Sequence, residues 1–222
     1  MFQGSYVALI TPFSDGQIDE AALRHMVNWQ IDQGTHGLIP MGTTGESPTV
    51  SQAEHEQAIR IVIEETAGRI PVIAGAGSNN PIESVHYAKV AADLGADAML
   101  CVAGYYNRPS QEGLYQHFSY LHEHSSLPII IYNIPPRAVV DIKADTMARL
   151  AQLPRVIGVK DATGDLTRIS QERQLIAKPF SYLSGEDMTA LAYNAAGGNG
   201  CISVTANIAP KLCAQFQTAC LN

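Results

Sequence analysis

The chain alternates short apolar runs with longer amphipathic segments. The apolar runs repeatedly end in Gly, Thr, Asn or Asp, and the segment after each run has the apolar spacing of a helix. This pattern predicts eight strands, at residues 6–12, 37–42, 71–77, 96–102, 127–133, 156–161, 180–185 and 200–205. It predicts eight helices, at residues 19–33, 51–67, 81–94, 111–124, 143–152, 166–176, 187–196 and 208–220.

Eight strand–helix units favour one closed barrel. The predicted strands are nearly continuous apolar runs, as in parallel sheets covered by helices on both faces. A (β/α)₈ TIM barrel leaves no open edge, so we prefer it to the alternative, a doubly wound open sheet. We expect a single domain over residues 1–222, with its last barrel helix at about 208–220. Its active site should lie at the C-terminal ends of the strands.

Helix-end signals support this division. Ser51 followed by Glu54 has the spacing of a capping box. Gly34, Gly68 and Gly95 stand where helices favour a left-handed residue.

One lysine stands at the C-terminal end of a predicted strand. Of the five lysines, Lys89 and Lys211 fall within helices, Lys143 at a helix start and Lys178 in a loop, whereas Lys160 follows an apolar strand. Desolvation there disfavours the ammonium and leaves the amine able to attack a carbonyl. A lysine that merely reaches the barrel rim is the alternative interpretation.

Other polar residues follow neighbouring strands. Tyr132 ends the fifth strand, and adjacent strands lie about 4.8 Å apart, so it could reach a group bonded to Lys160. Thr43 and Thr44, in the glycine-rich turn after the second strand, could hold a small carboxylate. Arg137, after two prolines, could bind a second carboxylate with its guanidinium. A core tyrosine and a solvated arginine are the structural alternatives.

Charge and composition exclude several classes of protein. The net charge of −7 includes no basic block, which argues against nucleic-acid binding. The apolar runs are strand-sized and no basic leader precedes a long apolar run, so we expect no membrane span and a cytoplasmic protein. The four cysteines lack metal-site spacing and are expected to be free thiols, and we predict no metal site.

Four motifs together resemble the dihydrodipicolinate synthase family. They are Gly42-Thr43-Thr44-Gly45-Glu46, Tyr105-Tyr106-Asn107, Tyr132-Asn133-Ile134-Pro135-Pro136-Arg137 and Gly158-Val159-Lys160-Asp161-Ala162-Thr163-Gly164, and the resemblance extends along the chain. It implies Schiff-base condensation of pyruvate with L-aspartate 4-semialdehyde, the first step of the diaminopimelate route to lysine, by a class I aldolase-type lyase. No metal or organic cofactor is implied beyond the covalent imine.

The resemblance also implies roles for individual residues. Lys160 would carry the pyruvate imine, and Tyr132, Thr43 and a neighbouring subunit's Tyr106 would relay protons. Thr44 would bind the pyruvate carboxylate, and the pocket would be completed by Arg137 on the semialdehyde carboxylate and by Gly185 and Ile202. An L-lysine feedback site would comprise Ser47, His55, Asn79, Glu83 and Tyr105. The homo-oligomer would be a dimer or a tetramer.

Three departures from the family pattern stand out. Ala103-Gly104 replaces the usual Thr-Pro, which removes a hydroxyl next to the relay. Gln52 and Pro48 replace a His and an Ala of lysine-sensitive members, which leaves sensitivity open. The chain ends at Asn222, so we expect a barrel that lacks the family's C-terminal helical extension.

Two other functions stay open at this stage. A sibling pyruvate-dependent aldolase or lyase, such as N-acetylneuraminate lyase or a keto-deoxy sugar-acid aldolase, would share the lysine and tyrosine but generally lacks an arginine at the position of Arg137. A truncated, inactive barrel acting as a binding or assembly subunit is the second alternative.

Overall fold

The computed structural model describes residues 1–221, and its core is a barrel of parallel strands. The strands of the described residues are β1 (Gly4–Ala8), β2 (Phe13–Ser14), β3 (Gln17–Ile18), β4 (Gly37–Ile39), β5 (Ile73–Gly75), β6 (Ala98–Val102), β7 (Ile129–Asn133), β8 (Val156–Asp161), β9 (Ser181–Ser184) and β10 (Gly200–Ser203). Eight of them are hydrogen-bonded in one sheet, in the order β4-β1-β10-β9-β8-β7-β6-β5. The predicted (β/α)₈ architecture is confirmed.

The two end strands of this sheet, β4 and β5, meet and close the barrel. Leu38 and Val72 form a parallel bridge, and the Gly75 N–H donates to the Pro40 carbonyl at 2.9 Å. Because all eight strands run parallel, their C-terminal ends lie at one mouth of the barrel.

Helices cover the outside of the barrel. The α-helices of the described residues are α1 (Glu20–Asp32), α2 (Gln52–Thr66), α3 (Pro81–Leu94), α4 (Gln111–His124), α5 (Pro135–Ala138), α6 (Ala144–Ala151), α7 (Thr167–Leu175), α8 (Ala190–Ala195) and α9 (Pro210–Leu221). The capping box of Ser51 and Glu54 is confirmed, because both of its hydrogen bonds form. Gly34, Gly68 and Gly95 all adopt positive φ, as predicted. No helix within residues 1–221 is long and apolar enough to cross a membrane.

The apolar core has two layers. One lies inside the barrel and includes Ile39, Leu100, Ile130, Leu183 and Ile202. The larger one fills the space between sheet and helices. Inward and outward residues alternate along each strand, which is why both faces of these strands are apolar.

The structure adds two elements that the sequence pattern missed. Phe13–Ser14 and Gln17–Ile18 form an antiparallel hairpin around Asp15 and Gly16, both at positive φ. An Asp-Gly pair is a strong hairpin signal, so this element could have been found. The segment with Arg137, expected as a loop, forms the one-turn helix α5. Asn222 lies outside the described residues, and the single domain over 1–222 stays a prediction.

Candidate active site

Lys160 and Tyr132 lie side by side at the barrel mouth. Tyr132 and Lys160 are direct partners in the β7–β8 pairing. The Lys160 Nζ lies 4.2 Å from the centroid of the Tyr132 ring. Both residues are near the C-terminal ends of their strands, so the barrel brings together the two residues that we predicted to be neighbours.

The Lys160 ammonium is desolvated. The residue is only 5% exposed, and among residues 1–221 its Nζ makes no hydrogen bond or ion pair. Burial lowers the pKa of Lys160 from 10.5 to about 8, against the opposing effects of Cys201, Asp187 and Glu186. At pH 7 roughly a tenth of such a group is the neutral amine, several hundred times more than for an exposed lysine. The site therefore supplies a nucleophilic amine at neutral pH.

The phenol of Tyr132 is also buried. Burial raises the pKa of Tyr132, while the Thr43 side chain and the positive charge of Arg137 oppose that rise. Tyr132 and Thr43 line the same small cavity at the barrel mouth. A protonated phenol next to an amine can donate a proton and take it back during carbonyl chemistry.

The turn after β4 presents Thr43 and Thr44. Two of its N–H groups are used within the turn, because Gly45 N donates to Gly42 O and Glu46 N donates to Thr43 O, each at 3.1 Å. The glycine-rich turn therefore offers fewer backbone donors to a carboxylate than its composition suggested. The two threonine hydroxyls are the donors that we assign to this motif. Thr43 is exposed and Thr44 is half-buried.

Arg137 borders a large cavity beside the mouth. Its side chain is exposed on α5, and the cavity, of about 540 Å³, is also lined by Thr43. A carboxylate in this space could reach the guanidinium. The structure thus brings Arg137 to the same side of the barrel as Thr43.

Gly185 and Ile202 lie near the C-terminal ends of their strands, and their lining of the substrate pocket stays a prediction. Ile202 is fully buried inside the barrel, in the same apolar cluster as Tyr132. Gly185 follows β9, and its N–H donates to the Asp161 carbonyl at 2.6 Å. A Cβ on Gly185 would lie 2.7 Å from the Cβ of Ala162, so any side chain there would disturb the end of β8.

Tyr106 stands apart from the other predicted catalytic residues. It is 86% exposed, and its φ of 64° places it in the left-handed region. Within one chain its side chain therefore lies on the surface.

The residues predicted for lysine feedback mostly share the large cavity. Ser47, His55, Glu83 and Tyr105 line it, whereas Asn79 lines a separate cavity of about 320 Å³. The large cavity also contains Tyr87, which sequence reasoning missed. Its ring stacks on His55, with a 4.0 Å centroid separation. Tyr87 is four residues after Glu83 on α3, so helical spacing could have placed it on the same face.

The cysteines and the potential metal ligands of residues 1–221 add no further site. All four cysteines are free thiols, as predicted. In residues 1–221 no group of three or more His, Cys, Asp or Glu side chains has an arrangement that could hold a metal ion.

A barrel with a buried strand-end lysine and an adjacent tyrosine has the features of a class I aldolase-type lyase, which forms Schiff bases. Residues 1–222 match the profile of the dihydrodipicolinate synthetase family, and the chain belongs to this family.

Individual relatives agree with this assignment. The 4-hydroxy-tetrahydrodipicolinate synthase of Parvibaculum lavamentivorans is 57% identical over 222 residues, which are 100% of this chain and 76% of that protein. The pyruvate-bound, chloride-inhibited dihydrodipicolinate synthase of Acinetobacter baumannii is 45% identical with a TM-score of 0.97, over 100% of this chain and 76% of that one. The lysine-bound enzyme of Cyanidioschyzon merolae is 33% identical with a TM-score of 0.93, over 97% and 74%.

Proposed function

We propose that this chain condenses pyruvate with L-aspartate 4-semialdehyde to 4-hydroxy-tetrahydrodipicolinate, the first step of the diaminopimelate route to lysine. The observation that carries the proposal is the buried Lys160, in register with Tyr132 at the barrel mouth. The family and the names of the relatives support this reaction over those of sibling lyases.

Lys160 is the nucleophile in this proposal. Its neutral amine attacks the C2 carbonyl carbon of pyruvate, and the resulting carbinolamine loses water to form the imine. Loss of a proton from the methyl carbon gives an enamine, whose carbon attacks the aldehyde. The amino group of the second substrate then displaces Lys160 from C2, which closes the ring and frees the enzyme. No metal or organic cofactor takes part in these steps.

The surrounding residues move protons and hold carboxylates. Tyr132 protonates the departing hydroxyl of the carbinolamine. Thr43 relays protons between the Tyr132 phenol and the small cavity that both residues line. Thr44 binds the pyruvate carboxylate, and Arg137 binds the carboxylate of the semialdehyde. Gly185 and Ile202 shape the pocket.

Tyr106 completes the relay from a second copy of the chain. Its exposed side chain is available to a neighbouring subunit. The active unit in this proposal is at least a dimer and acts in the cytoplasm. A dimer with two-fold symmetry is the commonest homo-oligomer, and in it each subunit can supply Tyr106 to the other.

L-Lysine binds the large cavity in this proposal. Glu83, which accepts a hydrogen bond from Ser78 Oγ at 2.5 Å, would hold one of its ammonium groups. The lysine-bound relative supports the assignment. Calorimetric titration of L-lysine into the wild-type chain and into Glu83→Gln measures it, and equal heats for the two would contradict it.

The catalytic proposal is tested by borohydride reduction in the presence of pyruvate. Mass spectrometry of the digested protein should find the reduced adduct on Lys160, and Lys160→Ala should remain unlabelled with an unchanged circular dichroism spectrum. An adduct on the variant would refute the assignment of the nucleophile. An unlabelled wild-type chain would favour the inactive binding barrel.

A further inference from the structure

A buried ionic cluster lies behind the two strands that carry Tyr132 and Lys160. Its centre is Arg168 on α7, whose side chain is 9% exposed. Arg168 donates from Nη1 to Asp141 Oδ2 at 2.9 Å and from Nη2 to Glu172 Oε1 at 3.2 Å. Its Nη2 also donates to the Ile142 carbonyl, and its Nε lies 4.0 Å from Asp161 Oδ2.

The same cluster reaches the residue that follows Tyr132. Asn133, at the end of β7, donates from Nδ2 to Asp141 Oδ1 at 2.8 Å, and its Oδ1 accepts from the Ile142 N–H at 3.2 Å. Asn133 and Arg168 therefore hold Asp141 and Ile142 from two sides. These two residues end the segment 134–142, which leaves β7 and carries Arg137.

This segment cannot hold its own conformation. Its helix α5 has only four residues, and a helix this short is unstable alone. Val139 at its end has a φ of 65°, a left-handed conformation that β-branched residues avoid. Such a backbone persists only where the surroundings fix it. The contacts to Asn133 and Arg168 anchor the end of the segment, together with the Gln111 side chain, which donates to the Asp141 carbonyl at 2.7 Å.

We infer that Arg168 is a positioning residue, which clamps segment 134–142 against β8 and so fixes Arg137 at the side of the large cavity that Thr43 also lines. The inference rests on the proposed role of Arg137 in binding the second carboxylate. Arg168 acts through the segment and does not touch the reacting atoms. Successive residues of a strand point to opposite faces, so the Asp161 carboxylate lies outside the barrel while the Lys160 amine lies inside.

The clamp predicts a selective loss of affinity for the second substrate. Asp141→Asn removes one of the carboxylate charges that Arg168 contacts and is the milder variant, because the Asp141 side chain is 43% exposed. Arg168→Met removes the clamp itself. In both we expect the KM for the semialdehyde to rise by about tenfold, since small displacements of a binding group have large effects. The rate of borohydride trapping with pyruvate should stay within about twofold of wild type.

Two further variants make the test specific. Arg173→Met removes an exposed arginine from the same helix. Among the described residues the Arg173 side chain hydrogen-bonds only to the Ala196 carbonyl, so this substitution should leave both quantities unchanged. In an Arg137→Ala background, Asp141→Asn should cause no further rise in KM, because its effect passes through Arg137.

Each outcome decides the inference. A raised semialdehyde KM in Arg137→Ala with an unchanged KM in folded Asp141→Asn would overturn the clamp and leave the proposed function intact. Additive effects of the two substitutions would also overturn it. No effect of Arg137→Ala would refute the proposed role of Arg137 and the clamp with it. Should Arg168→Met fail to fold, Asp141→Asn carries the test alone.

Discussion

Replacing Lys160, the proposed nucleophile, by methionine should make the protein more stable. Lys160 is buried and contacts no counter-ion within residues 1–221, and burial lowers its pKa from 10.5 to about 8. The folded state therefore binds this proton less tightly than the unfolded chain does. Methionine has a similar unbranched shape and carries no charge, so Lys160→Met removes the desolvation cost while it fills the same space.

The size of the gain follows from the pKa. A fall from 10.5 to about 8 corresponds to roughly 3 kcal/mol at neutral pH, since each pKa unit is worth about 1.4 kcal/mol. The substitution also removes the ammonium from the face of the Tyr132 ring, a contact worth about 1 kcal/mol. Desolvation is the larger effect, so we expect Lys160→Met to raise the free energy of unfolding by about 2 kcal/mol at pH 7.

The gain should depend on pH in a defined window. Between about pH 8 and 10.5 the unfolded chain holds the Lys160 proton while the folded protein has released it, so wild-type stability rises with pH there relative to the variant. The advantage of Lys160→Met is complete below pH 8 and disappears above 10.5.

Urea unfolding of both proteins at pH 7 and at pH 10.5 measures this difference. Lys89→Met, at an exposed position on α3, is the matched control and should change little at either pH. A destabilised Lys160→Met variant, or a gain that is the same at both pH values, would show that Lys160 is not desolvated as the structure indicates.

Three further predictions concern the reaction itself. Arg137→Ala should cost roughly 2 to 4 kcal/mol of transition-state binding for the semialdehyde, measured as kcat/KM, while pyruvate trapping is retained; equal losses for both substrates would contradict its role. Tyr132→Phe should lower kcat by about 10² to 10⁴ and leave the fold intact, and a near-normal kcat would remove Tyr132 from the relay. Activity per chain should fall on dilution, and mixing inactive Lys160→Ala with inactive Tyr106→Phe should restore roughly a quarter of wild-type activity, because each mixed dimer has one complete site; no recovery after subunit exchange would show that Tyr106 does not act across an interface.

The sequence by itself determined the order of the elements and was enough to propose Lys160 as the nucleophile. Apolar periodicity located all eight barrel strands and the eight helices that follow them. A strand buried on both faces leaves a continuous apolar run in the sequence, whereas a helix buried on one face leaves apolar residues three or four positions apart. Lys160 could be found because a barrel places strand ends at its active site and only one lysine stands there. Tyr132 followed because its strand is next to that of Lys160.

Only the tertiary structure decided what surrounds these residues. The register of β7 against β8, which makes Tyr132 and Lys160 direct partners, depends on closure of the whole sheet. The pKa of Lys160 depends on how much water the barrel mouth excludes, which no local pattern records. The contact between Asp141 and Arg168 joins residues 27 positions apart. Periodicity reports how each segment meets the core, whereas register, desolvation and long-range ion pairs arise only when distant segments pack together.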